Sequence, residues 1–187
     1  VPFYEAADGA GDIPGFGTAE SVSVNVLENF EQTESFIGCG ALTRAQFDAI
    51  SAYAKNFLGQ TSRFEQRIEA GKIRDCHGDL YSANICLADR VHIFDCIEFN
   101  QRFRYCDVAS DVAFLSMDLD FHGIEELSGY FIESFCERAN DPGLTGMLNF
   151  YKCYRAYVRG KIGLFTAHAP EVDDATKESC INQAKQY

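Results

Sequence analysis

Residues 108–119 are apolar on nearly every side of a helix, and this run constrains the fold more than any other feature of the chain. Its apolar members are Val108, Ala109, Val112, Ala113, Phe114, Leu115, Met117 and Leu119. A helix that is hydrophobic all round offers no face to water and therefore lies at the centre of a domain. The other elements of the chain have to pack around it.

Amphipathic patterns on both sides of this run predict the surrounding helices. Thr18 and Thr43 are predicted N-caps, because a hydroxyl at that position accepts a hydrogen bond from a free amide of the first turn. The first of these helices is expected to run to Gly38, and the second carries an apolar stripe to Leu58. Four more helices are predicted over residues 62–70, 124–139, 144–168 and 171–187.

Two short β-prone runs, residues 85–87 and 91–94, flank Ala88-Asp89-Arg90 and predict a hairpin. If Asp89-Arg90 is a two-residue turn, Asn84 faces Asp95 at the open end of the hairpin, about 4.5–5.5 Å away. A longer turn would shift this register. The expected fold class is therefore α+β and mostly α, with one small β-hairpin.

The domain organisation follows from length and composition. Residues 1–17 contain several glycines and two of the four prolines, and they are expected to form an irregular connector. A chain of 187 residues can bury one sizeable core, so residues 18–187 are expected to form a single domain.

The charge of the chain limits its partners. Acidic residues number 28 against 16 basic ones, which gives a formal net charge of -12. Such a field disfavours nucleic acid and anionic membranes and attracts cationic small molecules or a basic partner. The alternative is that the acidity only keeps the protein in solution. No signal-like segment and no apolar run of membrane-spanning length is found, so a cytoplasmic location is expected.

The eight cysteines do not predict a zinc site. Cys76, Cys86, Cys96 and Cys106 recur every ten residues, but the sequence contains no CxxC pair. Three of these four lie beside or inside apolar runs, where cysteine behaves as a small hydrophobic residue. Reduced and mostly buried thiols are therefore expected.

Residues 73–84, before the hairpin, are predicted to form a polar loop, and its part from His77 to Asn84 is named the site loop. It contains Asp79 and Asn84, and Asp95 follows the hairpin. Mg²⁺ binds oxygen ligands and needs only one or two from the protein when phosphates and waters complete its coordination. Asn84 and Asp95 are therefore predicted Mg²⁺ ligands on the hairpin, and Asp79 is predicted to orient an attacking hydroxyl. The alternative is that these short polar residues only cap and turn the loop.

Two carboxylates at the start of the central helix have separate predicted roles. Asp107 is expected to be the N-cap of this helix. Asp111 lies within the apolar run, where an unpaired charge would cost several kcal/mol. It is therefore expected to accept hydrogen bonds from main-chain amides of a loop. The alternative for Asp111 is a solvated edge of the helix.

The remaining charged residues give weaker indications. A basic stripe recurs at helical spacing at Lys152, Arg155 and Arg159. A solvated helix face is the favoured interpretation of this stripe over an anion site. Asp118 and Asp120 would either meet a cationic substrate or mark a helix end that faces solvent. Glu98, close after Asp95, has no predicted role.

Three sequence motifs occur in order along the chain. They are His77-Gly78-Asp79-Leu80-Tyr81-Ser82-Ala83-Asn84, then Phe94-Asp95, then Asp107-Val108-Ala109-Ser110-Asp111-Val112-Ala113. In this order they resemble the HGDxxxxN, hydrophobic-Asp and DxxxDxA signatures of the aminoglycoside phosphotransferase and choline kinase family. Residues 94–100 and 150–161 resemble its bacterial aminoglycoside phosphotransferase-like branch, many members of which carry a P-loop ATPase-like domain.

The resemblance implies a protein-kinase-like fold, with residues 18–187 as its helical C-lobe. It implies that Asp79 is the catalytic base, that Asn84 and Asp95 hold Mg²⁺ with ATP or another nucleoside triphosphate, and that Asp111 braces the site loop. His77 would be a structural member of that loop. The acceptor would be a hydroxyl of a small molecule. Tyr81 stands where related enzymes often have His.

The resemblance also implies missing partners. No glycine-rich hairpin with a following strand Lys precedes the helices, so the N-lobe is expected to be absent, and no P-loop motif occurs. This chain alone is expected to turn over poorly or not at all, and an exposed apolar patch is expected where the other lobe would sit. Two other functions stay open: a catalytically silent kinase-like binding or regulatory module, and a metal-dependent phosphohydrolase.

Overall fold

The structure, a computed structural model, describes residues 1–187, most of which are helical. The helices are α1 (Pro2–Ala6), α2 (Ala19–Thr33), α3 (Arg44–Leu58), α4 (Thr61–Glu69), α5 (Gln101–Arg104), α6 (Val108–Phe121), α7 (Glu125–Arg138), α8 (Leu144–Ala167) and α9 (Asp174–Gln186). The strands are β1 (Ile73–Asp75), β2 (Ile85–Leu87), β3 (Val91–Ile93) and β4 (Tyr105–Asp107). They form two antiparallel pairs, β1 with β4 and β2 with β3. The expected class, α+β and mostly α, is confirmed.

The apolar run at residues 108–119 forms the central helix α6, as predicted. Ala109, Val112 and Ala113 have no exposed surface, and Phe114 is 1% exposed. Helices α7 and α8 pack against α6, and the core extends to apolar residues of α2, α3 and α4. Burial of this run on nearly all sides removes a large apolar surface from water and so stabilises the fold.

The predicted helix caps are confirmed. The Thr18 hydroxyl accepts a hydrogen bond from the amide of Ser21, and Thr43 forms a capping box with Gln46. Asp107 caps α6 by accepting from the amide of Ala109 at 2.9 Å. The helix after Thr18 is shorter than expected, because it passes at residue 34 into a 3-10 turn, Glu34–Phe36.

The first 17 residues contain more regular structure than an irregular connector would. They contain α1 and a 3-10 helix, Ile13–Gly17, and Ile13 is buried. The amide of Asp75 donates a hydrogen bond of 2.7 Å to the carbonyl oxygen of Asp8. A Cβ at Gly17 would lie 2.4 Å from the side chain of Ile73, so glycine allows the segment to pack closely against β1. The segment is part of the domain.

The pairing of β1 with β4 determines where the site loop lies. Residues 73–75, predicted as part of a loop, form a strand instead, and Tyr105–Asp107 pairs with it so that Ile73 lies opposite Asp107. The site loop follows β1 and α6 follows β4. The pair therefore places the start of the site loop beside the first turns of α6.

The register of the hairpin differs by one residue from the prediction. Leu87 lies opposite Val91, and Ile85 lies opposite Ile93, so the connection has three residues. The amide of Phe94 donates to the carbonyl oxygen of Asn84 at 3.1 Å, so Asn84 faces Phe94 and not Asp95. The physical reason is that Asp-Arg does not favour the positive φ angles of a two-residue turn.

A buried ion-pair cluster ties α4 to the start of α6 and to the α7–α8 connection. Arg67 donates to Asp107 at 2.8 and 2.9 Å and to Asp141 at 2.9 Å, and all three side chains are nearly inaccessible. Burial acts to lower the pKa of Arg67, but these hydrogen bonds and charges outweigh it and raise that pKa. No sequence pattern predicted this cluster.

Two smaller findings concern the cysteines and the membrane. Only Cys76 is buried, while Cys39, Cys86 and Cys96 are exposed, so the expectation of mostly buried thiols is wrong. Cys86 and Cys96 are exposed because the hairpin and the segment after it lie at the surface. None of the helices combines the length and the apolarity needed to cross a membrane.

Candidate active site

The entry of the site loop is fixed by Asp111 of α6. The amide of His77 donates to Oδ2 of Asp111 at 2.8 Å, and the amide of Gly78 donates to Oδ1 at 2.9 Å. The hydroxyl of Tyr4 in α1 donates to Oδ2 at 3.2 Å. Asp111 has no exposed surface, so the alternative of a solvated helix edge does not hold.

Burial and hydrogen bonding act in opposite directions on Asp111. Burial raises the pKa of its carboxyl above the usual value, while the charge of Arg155 and the two amide donors favour the ionised form. An ionised Asp111 accepts both amides through separate oxygens. The carboxylate therefore holds the loop entry in one orientation.

Gly78 is required at the loop entry for two reasons. Its φ angle is +84°, which L side chains rarely adopt, and a Cβ there would lie 2.8 Å from the carbonyl oxygen of Phe103. The backbone at Gly78 is therefore closely enclosed between α6 and the segment after the hairpin.

His77 links the site loop to the end of the hairpin. Its Nε2 lies 2.8 Å from the carbonyl oxygen of Phe94, and its Nδ1 lies 3.3 Å from the amide nitrogen of Asp79. The Asp79 amide can only donate, so Nδ1 accepts and Nε2 carries the proton. The amide of Ile97 donates to the carbonyl oxygen of His77 at 2.9 Å. His77 is 4% exposed, and its hydrogen bonds hold Asp79, Phe94 and Ile97 in position.

Asp79 and Asn84 are in direct contact. Nδ2 of Asn84 donates to the carbonyl oxygen of Asp79 at 2.9 Å and lies 3.3 Å from its Oδ2. The Asn84 amide nitrogen is thereby turned to Asp79, and no protein hydrogen bond engages its Oδ1. The sequence placed these residues five apart in a loop, and the fold brings their side chains together.

Asp95 reaches the same cleft as Asp79 by a different route from the one predicted. It does not face Asn84 across the hairpin, but its φ angle of 62° turns the chain sharply after Phe94. Non-glycine residues rarely adopt this conformation, and Asp is among those that tolerate it best. Asp79 and Asp95 both line a cleft of about 960 Å³.

This cleft has one polar wall from α2 and a second wall from residues 95–99. Its charged lining residues are Glu28, Asp79, Asp95, Glu98, Arg155 and Lys161. Glu98, to which the sequence assigned no role, therefore shares the cleft with Asp79. The cleft is deep enough for a small molecule to lie against both aspartates.

The donor set fits Mg²⁺ only as an open site. Amide and carboxylate oxygens are ligands that Mg²⁺ accepts. No group of three or more His, Cys, Asp or Glu side chains converges to hold a metal, so the protein alone does not form a closed cage. Asn84 and Asp95 would supply protein oxygens, and the remaining ligands would come from phosphates and water.

Arg155 is not on a solvated face, and that interpretation of the basic stripe is wrong for this residue. Arg155 is 6% exposed, and it donates to the carbonyl oxygen of Gly78 at 3.0 Å and to the Ser110 hydroxyl at 3.1 Å. Its position four residues after Tyr151 places it on the apolar stripe of α8, which is the signal that would have revealed its burial.

The other members of the stripe also have partners. Lys152 forms an ion pair with Asp120, and the guanidinium of Arg159 lies 4.6 Å from the ring centroid of Tyr81. Tyr81 in turn stacks on Phe114 of α6, with ring centroids 5.6 Å apart. The middle of the site loop is therefore packed between α6 and α8.

Asp118, for which the sequence left two roles open, contacts the site loop. It is 2% exposed, and it accepts a hydrogen bond of 2.9 Å from the amide of Ser82. The predicted alternative of a solvent-facing helix end is therefore wrong for Asp118. Asp120 lies farther out and pairs with Lys152.

Comparison with known proteins identifies relatives without a described activity. The chain is 40% identical over 105 residues to an uncharacterized protein of Mycobacterium bovis and to uncharacterized proteins of two Mycobacterium tuberculosis strains. The match covers 56% of this chain and 21% of each relative, so it spans about a fifth of the relatives' length. No protein-family model and no solved structure matches the chain.

Proposed function

We propose that this chain is the helical lobe of an ATP-dependent phosphotransferase that transfers a phosphoryl group to a hydroxyl of a small molecule. In this proposal the chain has a protein-kinase-like C-lobe fold and acts with Mg²⁺ and ATP or another nucleoside triphosphate. Asp79 is the catalytic base, Asn84 and Asp95 are the Mg²⁺ ligands, and Asp111 and His77 support the site loop.

One observation carries the proposal: Asn84 holds Asp79 through its amide nitrogen, while its amide oxygen has no protein partner. The Asn84 nitrogen donates to Asp79, which leaves Oδ1 of Asn84 for a cation, and Asp95 lines the same cleft as Asp79. A capping role for Asn84 accounts for its amide nitrogen, which donates to Asp79, but gives no role to its oxygen. If these polar residues were purely structural, the rare positive φ angle of Asp95 would also have no functional explanation.

The chemistry assigned to these residues is positioning and proton acceptance. When bound, Mg²⁺ would neutralise phosphate charge and draw electron density from the transferred group. Asp79 would accept the proton of the acceptor hydroxyl, which has to lie within about 2.6–3.2 Å of its carboxylate. Asp111 and Arg155 would keep Asp79 in place, because they hold the amide and carbonyl groups of the preceding residue, Gly78.

The charge of the cleft favours an acceptor that is not anionic. Glu28, Asp79, Asp95 and Glu98 contribute four acidic side chains, against Arg155 and Lys161. Of these two cations, Arg155 is buried against Gly78, and Lys161 donates to Gln32 at 2.9 Å. A neutral or cationic small molecule is the acceptor class that suits this lining. The proposal includes neither nucleic acid nor membrane as a partner.

The remainder of the nucleotide site would come from another part of the whole protein. The hairpin exposes several large apolar side chains: Leu87, Val91, Ile93 and Phe94. Such a patch is expected where another protein surface packs. In this proposal an N-lobe covers the hairpin and holds the nucleotide from above, and a P-loop ATPase-like domain is a further candidate partner.

The test is Mg²⁺-dependent ATP consumption by the full-length protein, measured with candidate hydroxyl acceptors and without any acceptor. Asp79→Asn should lower kcat by about 100-fold or more with little change in nucleotide affinity, because it removes a base of a kind worth 10²–10⁴-fold. Asp48→Asn, on the exposed face of α3, is the matched control. Undiminished turnover in Asp79→Asn would refute this role.

The same assay separates the other two functions. ATP hydrolysis at an undiminished rate without acceptor would favour a phosphohydrolase. The absence of both nucleotide binding and turnover in the full-length protein would favour a catalytically silent module.

A further inference from the structure

The exit of the site loop is fastened to α6 by a residue outside the three sequence motifs. The amide of Ser82 donates a hydrogen bond of 2.9 Å to Oδ2 of Asp118. Asp118 is 2% exposed, and its other oxygen lies 3.8 Å from Nε2 of His122. A buried carboxylate is unfavourable unless it accepts hydrogen bonds, so the bond to Ser82 is a main compensation for burying Asp118.

Two aspartates on α6 are spaced so that they lie on one face of the helix. Asp111 and Asp118 are seven residues apart, which is close to two helical turns, so they lie on the same face of α6. Asp111 accepts from the loop entry at His77 and Gly78, and Asp118 accepts from the exit at Ser82. One helix face therefore holds both ends of the loop.

Asp118 supplies an acceptor that the loop itself lacks. Ser82 begins a 3-10 turn, Ser82–Asn84, whose N-cap residue Tyr81 makes no side-chain capping bond. The Asp118 carboxylate takes the place of that cap from a different element and places negative charge at the amide end of the turn. Asn84 is the last residue of the turn, so its position depends on how the turn is held.

We propose that Asp118 is a positioning residue that fixes the Ser82–Asn84 turn and thereby sets the position of the Asn84 side chain against Asp79. Without this bond the turn is free to tilt, and Nδ2 of Asn84 loses its alignment with the carbonyl oxygen of Asp79. The effect on turnover rests on the proposed phosphotransferase function, whereas the effect on Asn84 does not.

The structural arm of the test compares Asp118→Ala, Asp118→Asn and the control Asp120→Ala in the full-length protein. Asp120 carries the same charge two residues along α6, pairs with Lys152 and makes no side-chain hydrogen bond to the loop. Amide hydrogen exchange at residues 82–84 should be about 10-fold faster in Asp118→Ala, as expected for loss of a hydrogen bond to a charged group. Exchange at residues 77 and 78, which Asp111 holds, should change less, and the Asn84 side-chain amide resonances should shift.

Asp118→Asn keeps an acceptor oxygen and should restore most of the protection at residues 82–84, and Asp120→Ala should match the wild type. Unchanged exchange at Ser82 in Asp118→Ala, or Asn84 resonances that do not move, would overturn the proposal. These readouts remain decisive if the wild-type protein shows no nucleotide turnover, so failure of the proposed function is distinguishable from failure of this inference.

The kinetic arm uses Mg²⁺-dependent ATP turnover by the same variants. Asp118→Ala should lower kcat by about 10-fold or more with a smaller change in KM for ATP, because misplacement of a site residue acts mainly on the reacting geometry. Asp118→Asn should recover most of that loss. Faster exchange at Ser82 together with an unchanged kcat would show that Asp118 has only a structural role.

Discussion

Arg155 of α8 donates a hydrogen bond of 3.0 Å to the carbonyl oxygen of Gly78, the residue whose amide nitrogen is held by Asp111. Two helices, α6 and α8, therefore hold the site loop through the amide and the carbonyl group of Gly78. The same guanidinium donates to Ser110 through Nε and lies 4.9 Å from the ring centroid of Phe114. Arg155 is thus a link between α8, α6 and the site loop.

Replacement of Arg155 should destabilise the domain and loosen the loop. In Arg155→Met, the Gly78 carbonyl loses its donor and Asp111 loses a compensating charge, so we expect about 2–4 kcal/mol lower free energy of unfolding. Urea denaturation measures this change. Lys152→Met, which removes a partly exposed cation of the same helix, should lower the free energy of unfolding by about 1 kcal/mol or less. Equal losses for the two variants would contradict a special role of Arg155.

The conformation of Asp95 predicts that one substitution, Asp95→Gly, can remove the proposed metal ligand without lowering the stability of the fold. Its φ angle of 62° suits glycine better than any L residue, so Asp95→Gly should leave the free energy of unfolding unchanged or higher by about 1 kcal/mol at most. Asp95→Ala should be less stable than Asp95→Gly by about 1 kcal/mol. Urea denaturation compares the two.

Under the proposed function, Asp95→Gly and Asp95→Ala should weaken Mg²⁺–nucleotide binding to the full-length protein to a similar extent, by about 10-fold or more, because both remove a metal ligand. Calorimetric titration with the nucleotide, in the presence and absence of Mg²⁺, provides the measurement. Retention of wild-type affinity in both variants would exclude Asp95 as a ligand.

The ion-pair cluster around Arg67 predicts a large loss of stability. Arg67→Met would leave Asp107 and Asp141 buried without their shared cation, which typically costs about 3–5 kcal/mol. The matched control is Arg44→Met, since Arg44 pairs with Asp48 on the exposed face of α3. That change should cost about 0.5 kcal/mol or less. The midpoint of thermal or urea unfolding checks both values, and similar midpoints would contradict the prediction.

Tyr4 predicts a pH dependence of stability in the alkaline range. Burial, followed by the charge of Asp111, raises the pKa of Tyr4 well above its usual value of 10.0. The folded state therefore keeps the proton to higher pH than the unfolded state. The stabilising contribution is fully present below pH 10 and is lost as the pH rises from there toward the folded-state pKa.

Tyr4→Phe removes this group and should reduce the loss of unfolding free energy above pH 10 by up to about 1.4 kcal/mol per pH unit relative to the wild type. At pH 7 the variant should lose about 1 kcal/mol, because the hydrogen bond to Asp111 is gone. Urea titrations at pH 8, 10 and 11 measure the difference. Parallel pH curves for the two proteins would mean that Tyr4 does not contribute.

Local sequence signals predicted the longer helices and the residues of the candidate site. Thr18, Thr43 and Asp107 were recognisable as caps, because a cap bonds to amides only two or three residues away. The apolar run of α6 required a central helix, and the acidic residue within it required main-chain donors. These inferences hold because each depends on short-range geometry or on the cost of burying a given side chain.

Only the tertiary structure decided which distant groups meet. The sequence pattern predicts more exposure for Asp118 and Arg155 than the structure shows. Periodicity assigns a residue to a helix face but does not say what packs on that face. The turn of the hairpin has one residue more than predicted, so Asp95 does not lie opposite Asn84. Asp95 lines the cleft because its positive φ angle turns the chain there. The pairing of β1 with β4 joins residues 30 to 34 positions apart, and this pairing sets the site loop against α6. Such contacts depend on the packing of the whole chain, and no local pattern in the sequence contains them.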